Sequence, residues 1–176
     1  MMAHKHHREG KPSSFLVEHV DLLPKGSVLD VAMGRGRNAV YLARRGFEVE
    51  GIDISPEALD AARQLAKTSG VPLTCKMMDL ENDVSLPREA FDVIVCFNYL
   101  HRPLIPLLKR ALRSGGVMVY ETYIVDQARF GRPKNPKHLL QHNELLKFFQ
   151  EFRCIRYREG IMEHRKAIAG YIGIKN

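Results

Sequence analysis

Asp30, Asp53 and Asp79 each close a short apolar run, and a glycine turn, Gly34-Arg35-Gly36-Arg37-Asn38, follows the first of them. Glycines between a strand and a helix let a ligand approach the backbone at a helix N-terminus, where amide groups are unpaired. An acid at the end of the next strand can accept hydrogen bonds from both hydroxyls of a ribose. Asp53 stands 17 residues beyond Gly36, close to the spacing such an acid needs. A second polar group, Asn98-Tyr99-Leu100-His101-Arg102, ends the strongly apolar run Phe91 to Phe97. In open parallel sheets ligands bind at that edge.

Charge separates the two cofactors this turn could serve. Gly34-Arg35-Gly36-Arg37-Asn38-Ala39 fits the dinucleotide pattern G-x-G-x-x-A. A pyrophosphate, however, wants positive potential, and Asp30 at the strand end faces the same crevice and would repel it. S-adenosylmethionine carries an ammonium and a sulfonium, which a carboxylate beside the turn suits. Asp53 serves the ribose of either ligand.

The arrangement acid-x-x-x-Gly-x-Gly resembles motif I of the class I S-adenosylmethionine-dependent methyltransferases, with Ala32 standing where the family usually has its first glycine. The resemblance covers nearly the whole chain. Gly36-Arg37-Asn38, followed by Tyr41-Leu42-Ala43 and Gly46, is similar to the first turn and helix of the small tellurite-resistance-type bacterial methyltransferases. His164-Arg165 before the last strand is similar to a His-Arg pair there. The resemblance implies S-adenosyl-L-methionine as cofactor. It would be held by Asp30, Ala32, Gly34, Gly36, Arg37 and Asn38, by Asp53 with Ile54, by Asp79 with Leu80 facing the adenine, and by Asn98. Methyl transfer to a nucleophile bearing a proton needs a base, and His101 is the candidate, histidine being the side chain suited to proton transfer near neutral pH. Tyr99 and Tyr123 would wall the acceptor, and Arg165 would border it.

The resemblance implies an α/β, Rossmann-like class I methyltransferase fold. Its sheet is mostly parallel and seven-stranded, with a C-terminal antiparallel hairpin and helices on both faces. Ser13 or Ser14 caps a short amphipathic helix through Leu23. Strands are predicted over 28–31, 47–53, 71–76, 91–97, 117–122, 153–157 and 167–174. The helix between the first two ends at Gly46. Ser55-Pro56-Glu57 opens the next, with a cap, a first-turn proline and an acid near the positive helix end. Another runs from Pro103 to Leu112, and Ser114-Gly115-Gly116 turns into the fifth strand. Residues 123–137 form a long basic loop with Arg129, Arg132, Lys134 and Lys137, of the kind that covers sites.

At 176 residues the chain is expected to hold a flexible tail over 1–12, carrying His4, His6 and His7, and a single methyltransferase domain over 13–176. No metal site is expected. A hydrophobic content of 45% is ordinary for a globular chain, and no apolar run reaches membrane-spanning length. Cys75, Cys96 and Cys154 lie in apparent strands, as buried thiols in a reducing cytoplasm would. The net charge of +7 suits a polyanion or a small oxyanion equally. The expected acceptor is a small molecule (an oxyanion, thiol or carboxylate), and the expected assembly is a monomer or homodimer without membrane contact. An RNA methyltransferase or RNA-binding module is the alternative, disfavoured because no basic motif is interleaved with aromatics. An NAD-dependent oxidoreductase is disfavoured by Asp30 and by the late hairpin.

Overall fold

Apolar runs with no polar face need cover on both sides, and the two most apolar runs occupy the middle of the sheet. The computed structural model describes residues 10–176, so His4, His6 and His7 lie outside the described residues. β1 (Ser27–Val31) pairs in parallel with β2 (Glu48–Asp53) on one side and β4 (Phe91–Phe97) on the other. β3 (Thr74–Met77) extends the sheet beyond β2, and β5 (Leu112–Tyr123) lies parallel beyond β4. β6 (Arg153–Met162) and β7 (Lys166–Ile174) close the chain as an antiparallel hairpin, β7 pairing with β5. The resulting order is β3-β2-β1-β4-β5-β7-β6. Strand order therefore reverses between β1 and β4, which opens a crevice at their carboxyl ends.

Alternation along the central strands fills two cores. Ile94, Cys96, Met118 and Tyr120 pack on one face with Leu108 of α4 (Ile105–Ala111) and Leu145 of α5 (Glu144–Phe148). Val93, Val95, Val117 and Val119 pack on the other face. There they meet Phe15 and Leu16 of α1 (Ser14–His19), Leu42 of α2 (Arg37–Arg44) and Leu59 of α3 (Pro56–Ser69). The Ser55 hydroxyl accepts from the Ala58 amide, Pro56 opens α3, and Gly70 ends it with a φ of 67°. Gly46, at a φ of 86°, follows α2 as expected of a C-terminal glycine.

Several boundaries differ from the sequence expectation. The Ser114-Gly115-Gly116 turn sits inside β5, as the irregularity where the pairing with β4 shifts register. β6 runs on to Met162, so the hairpin turn narrows to Glu163–Arg165. The third strand starts three residues late, at Thr74, because Pro72 has no amide hydrogen to give a ladder. Of the three cysteines only Cys96 is buried, while Cys75 is half-buried and Cys154 exposed, each being on an outer strand. The basic loop is organised by two 3-10 turns, Val125–Arg129 and Pro136–His138, and by a bridge between Ile124 and Leu140. Among the described residues no helix is long and apolar enough to cross a membrane.

Candidate active site

The chain leaves β1 through a run of left-handed residues: Ala32, Gly34 and Gly36 have φ of 52°, 58° and 80°. For an alanine this region is strained, so Ala32 holds a conformation that a glycine would adopt freely. The two glycines serve different ends. Nothing lies within 4 Å of where a Gly34 side chain would point, leaving that backbone open to a ligand. A Cβ on Gly36 would come within 2.7 Å of the Ala62 Cβ in α3, so this glycine permits helix packing. The turn is fastened to β2 by Asp53. Its carboxylate accepts from the Gly34 amide at 2.8 Å and from the Ser55 amide at 2.9 Å.

A cleft of about 880 Å³ opens over this turn. Seven sequence-predicted residues border it: Asp30, Ala32, Gly34, Arg37, Asn38, Asn98 and Tyr99. Asp30 is only 1% exposed, and its Oδ2 has no hydrogen-bond partner. Burial raises its pKa to about 7, against the pull of the Arg37 guanidinium and the Ala39 amide, and Asp53 adds a little to the rise. The Tyr99 hydroxyl is likewise buried and unpartnered. Its pKa is pushed up to about 12 by burial first and then by neighbouring acids, Glu81 among them. Below it, the Tyr120 hydroxyl donates to the Tyr99 carbonyl at 2.8 Å and fixes this corner of the chain. Asn98, at a φ of 57°, donates its amide to the Glu121 carbonyl at 2.9 Å.

The remaining predicted residues lie around the cleft rather than in its lining. Ile54 directly follows Asp53 and is 59% exposed, an unusual position for a large apolar side chain. Asp79 folds back on its own loop. The Asn82 side chain and the Glu81 and Asn82 amides donate to it and hold its carboxyl below the usual range, with His101 contributing. Leu80 is buried in the core beneath. His101 and Tyr123 stand at the carboxyl ends of β4 and β5, and Arg165, at a φ of 57°, lies in the β6–β7 turn at the same edge. Sequence reasoning missed the face of α3 that carries Ala61, Gln64, Leu65 and Thr68, along which the cleft continues. Their i, i+3, i+4, i+7 spacing was the available signal. It also missed Met33 and Arg35 as lining residues. Met33 packs where β2 carries Gly51, and a Cβ there would overlap its sulfur.

Comparison with known proteins fits this geometry. Residues 28–116 match the model of a methyltransferase domain. The chain belongs to the class I S-adenosylmethionine-dependent methyltransferase family. A ubiquinone biosynthesis O-methyltransferase of Actinobacillus pleuropneumoniae is 36% identical over 104 residues, covering 54% of this chain and 44% of the relative. The chain spans about half the length of the curated relatives it matches. Among solved structures, TehB from Haemophilus influenzae superposes with a TM-score of 0.80 at 18% identity, covering 94% of this chain and 63% of TehB. A TehB-like methyltransferase from Corynebacterium glutamicum gives a TM-score of 0.68 at 21% identity, over 95% and 90% of the two chains. These two likenesses show the fold alone.

S-adenosylmethionine is the cofactor of this family, and the cleft meets its chemistry. A buried carboxylate oxygen without a partner costs free energy until a donor reaches it. Within the cleft such an oxygen suits an ammonium and opposes a pyrophosphate.

Proposed function

We propose that this chain transfers a methyl group from S-adenosylmethionine to a small molecule bearing an oxyanion, thiol or carboxylate. The observation that carries the reading is the unpartnered Oδ2 of Asp30, buried in a cleft beside an open glycine turn. Asp30 would hold the cationic amino-acid end of the cofactor, with Gly34, Arg37 and Asn38 around it. Asp53 would hold the ribose, Ile54 would cover the adenine, and Asp79 and Leu80 would edge it. When bound, the cofactor supplies an activated methyl on a positively charged sulfur. In-line displacement then asks the protein mainly for orientation and exclusion of water. Asn98 and Tyr99 would shape the wall toward the acceptor, with Tyr123 and Arg165 beyond them. His101 would take the proton of a protonated nucleophile.

The small acceptor is supported by the setting of this edge. The loop carrying Arg129, Arg132, Lys134 and Lys137 is anchored beside it, and exposed cations draw anions from a distance in a salt-dependent way. We further infer one methyltransferase domain over 13–176, acting as a monomer or homodimer in the cytoplasm. Three free cysteines and no disulfide among the described residues accord with that compartment.

The test is a thermal-shift panel of S-adenosylmethionine, its demethylated product, NAD and NADP. Oxyanions, thiols, small carboxylates, tRNA and rRNA are then screened by release of the demethylated product. Stabilisation by the first pair alone is expected, and equal stabilisation by NAD would refute the cofactor. Turnover on RNA with none on any small molecule would move the basic loop to an RNA contact. His101→Ala is expected to lower the single-turnover rate while leaving cofactor affinity unchanged.

A further inference from the structure

The side of the sheet that packs α1 holds a set of buried polar groups with no place in the scheme above. Glu121 is 8% exposed, near the carboxyl end of β5, and it pairs across the ladder with Gly170 of β7. Gly170 in turn pairs with Arg158 of β6. With no side chain between them, Arg158 reaches over Gly170, and its Nη2 donates to Glu121 Oε2 at 2.8 Å. The Phe15 ring of α1 fills the space left, so that a Cβ on Gly170 would come within 3.1 Å of it. The Arg158 guanidinium sits 4.6 Å from the centre of that ring. The second Glu121 oxygen, Oε1, accepts from the Ser13 hydroxyl at 3.2 Å.

Ser13 is where this cluster meets the cleft. It precedes α1 at the position of a helix cap, yet its side chain makes no capping bond and turns to Glu121 instead. Its amide donates to Asn38 Oδ1 at 2.8 Å, and both residues are buried. Asn38 is the second residue of α2 and lines the cleft. Beside it, Arg37 Nη1 donates to the Lys11 carbonyl at 3.1 Å, and Gly10 borders the cleft. The Glu121 carbonyl meanwhile holds Asn98, on the opposite wall. The Arg158 side chain is 30% exposed, and a half-buried ion pair is a poor device for stability, since solvent screens it and desolvation offsets part of its attraction. Glu121 thus reaches the Asn38 segment through its side chain and Ser13, and the Asn98 segment through its backbone carbonyl.

We propose that Glu121 is a positioning residue for the cofactor cleft, acting through Ser13 on Asn38 although it does not itself border the cleft. Its side chain sets where the segment before α1 rests, and that segment orients the Asn38 amide and closes the cleft at Gly10. The proposal rests on the assignment of the cleft to S-adenosylmethionine.

The experiment is calorimetric titration of the whole chain with S-adenosylhomocysteine, well below the melting temperature. Wild type is compared with Ser13→Ala, Glu121→Gln and the double variant, and hydrogen exchange is read at the Ser13 amide. Each single change is expected to weaken affinity about tenfold, the double no more than the weaker single, as for one coupled path. Exchange at Ser13 is expected to quicken in both folded variants. If Glu121→Gln does not fold because Arg158 loses its nearer carboxylate and keeps only Glu18, at 3.9 Å, Ser13→Ala removes only a hydroxyl and decides alone. Affinity within twofold of wild type in folded Ser13→Ala, or unchanged protection of the Ser13 amide, overturns the proposal. A wild type that does not bind the probe overturns the cleft assignment, and the proposal with it.

Discussion

Replacing Asp30 by asparagine should make the protein without cofactor more stable and the cofactor site worse, and the balance should depend on pH. An ordinary aspartate ionises near 3.8, whereas burial holds Asp30 at about 7. Between those values the folded chain keeps a proton that the unfolded chain has released. Folding stability of the wild type therefore falls as pH rises from about 4 to about 7, and flattens above that. At 1.36 kcal/mol per pKa unit the full loss is about 4 kcal/mol, an upper value because local opening can hydrate the carboxylate. Asparagine has nearly the same shape and no charge to bury. Asp30→Asn should match the wild type near pH 4 and exceed it by up to about 4 kcal/mol at pH 8. Urea unfolding at both pH values, without cofactor, measures this difference. Adding S-adenosylmethionine at a hundred times its wild-type dissociation constant should then raise wild-type stability by about 2.7 kcal/mol and the variant's by much less. The reasoning fails if the stability difference between the two proteins is the same at pH 4 and pH 8. It fails equally if the variant gains as much from the cofactor as the wild type does.

Other expectations are local. Wild type should bind S-adenosylhomocysteine more tightly than its 2′-deoxy analogue, and Asp53→Ala should erase that preference while loosening the Gly34 turn; calorimetry with both ligands checks it. Gly36→Ala should destabilise the fold by about 2 kcal/mol in urea unfolding, because the new Cβ meets Ala62 and the φ of 80° disfavours alanine. Arg102 bonds both oxygens of Glu144, at 2.7 and 2.9 Å, and the carbonyls of Lys137 and Leu139. Arg102→Gln should therefore expose the basic loop to trypsin at Arg129, Arg132, Lys134 or Lys137 while leaving the core resistant, as mass spectrometry of early fragments would reveal.

The sequence alone determined the elements whose signals are local. The central strands announce themselves because β1 and β4 are covered on both faces and must be apolar throughout. The turn after β1 is legible because a left-handed backbone selects glycine, and α3 because Ser55-Pro56 and Gly70 match the unpaired groups at helix ends. The alternation of acids with strand ends brought Asp30 and Asp53 to one edge without any knowledge of pairing. Tertiary structure decided whatever depends on neighbours distant in the chain. That Gly36 exists for Ala62, or Gly51 for Met33, follows from helix and side-chain packing that no spacing encodes. Gln127 reads as an ordinary loop glutamine, yet it is buried, accepting from the Ala167 amide and donating to the Arg132 carbonyl, and so anchors the basic loop. Ser13 carries the pattern of a helix cap, but Glu121, 108 residues away, takes its hydroxyl. Asp30 gave its charge in the sequence; only the fold, by removing water and withholding a partner from one oxygen, decided that this charge must wait for a ligand.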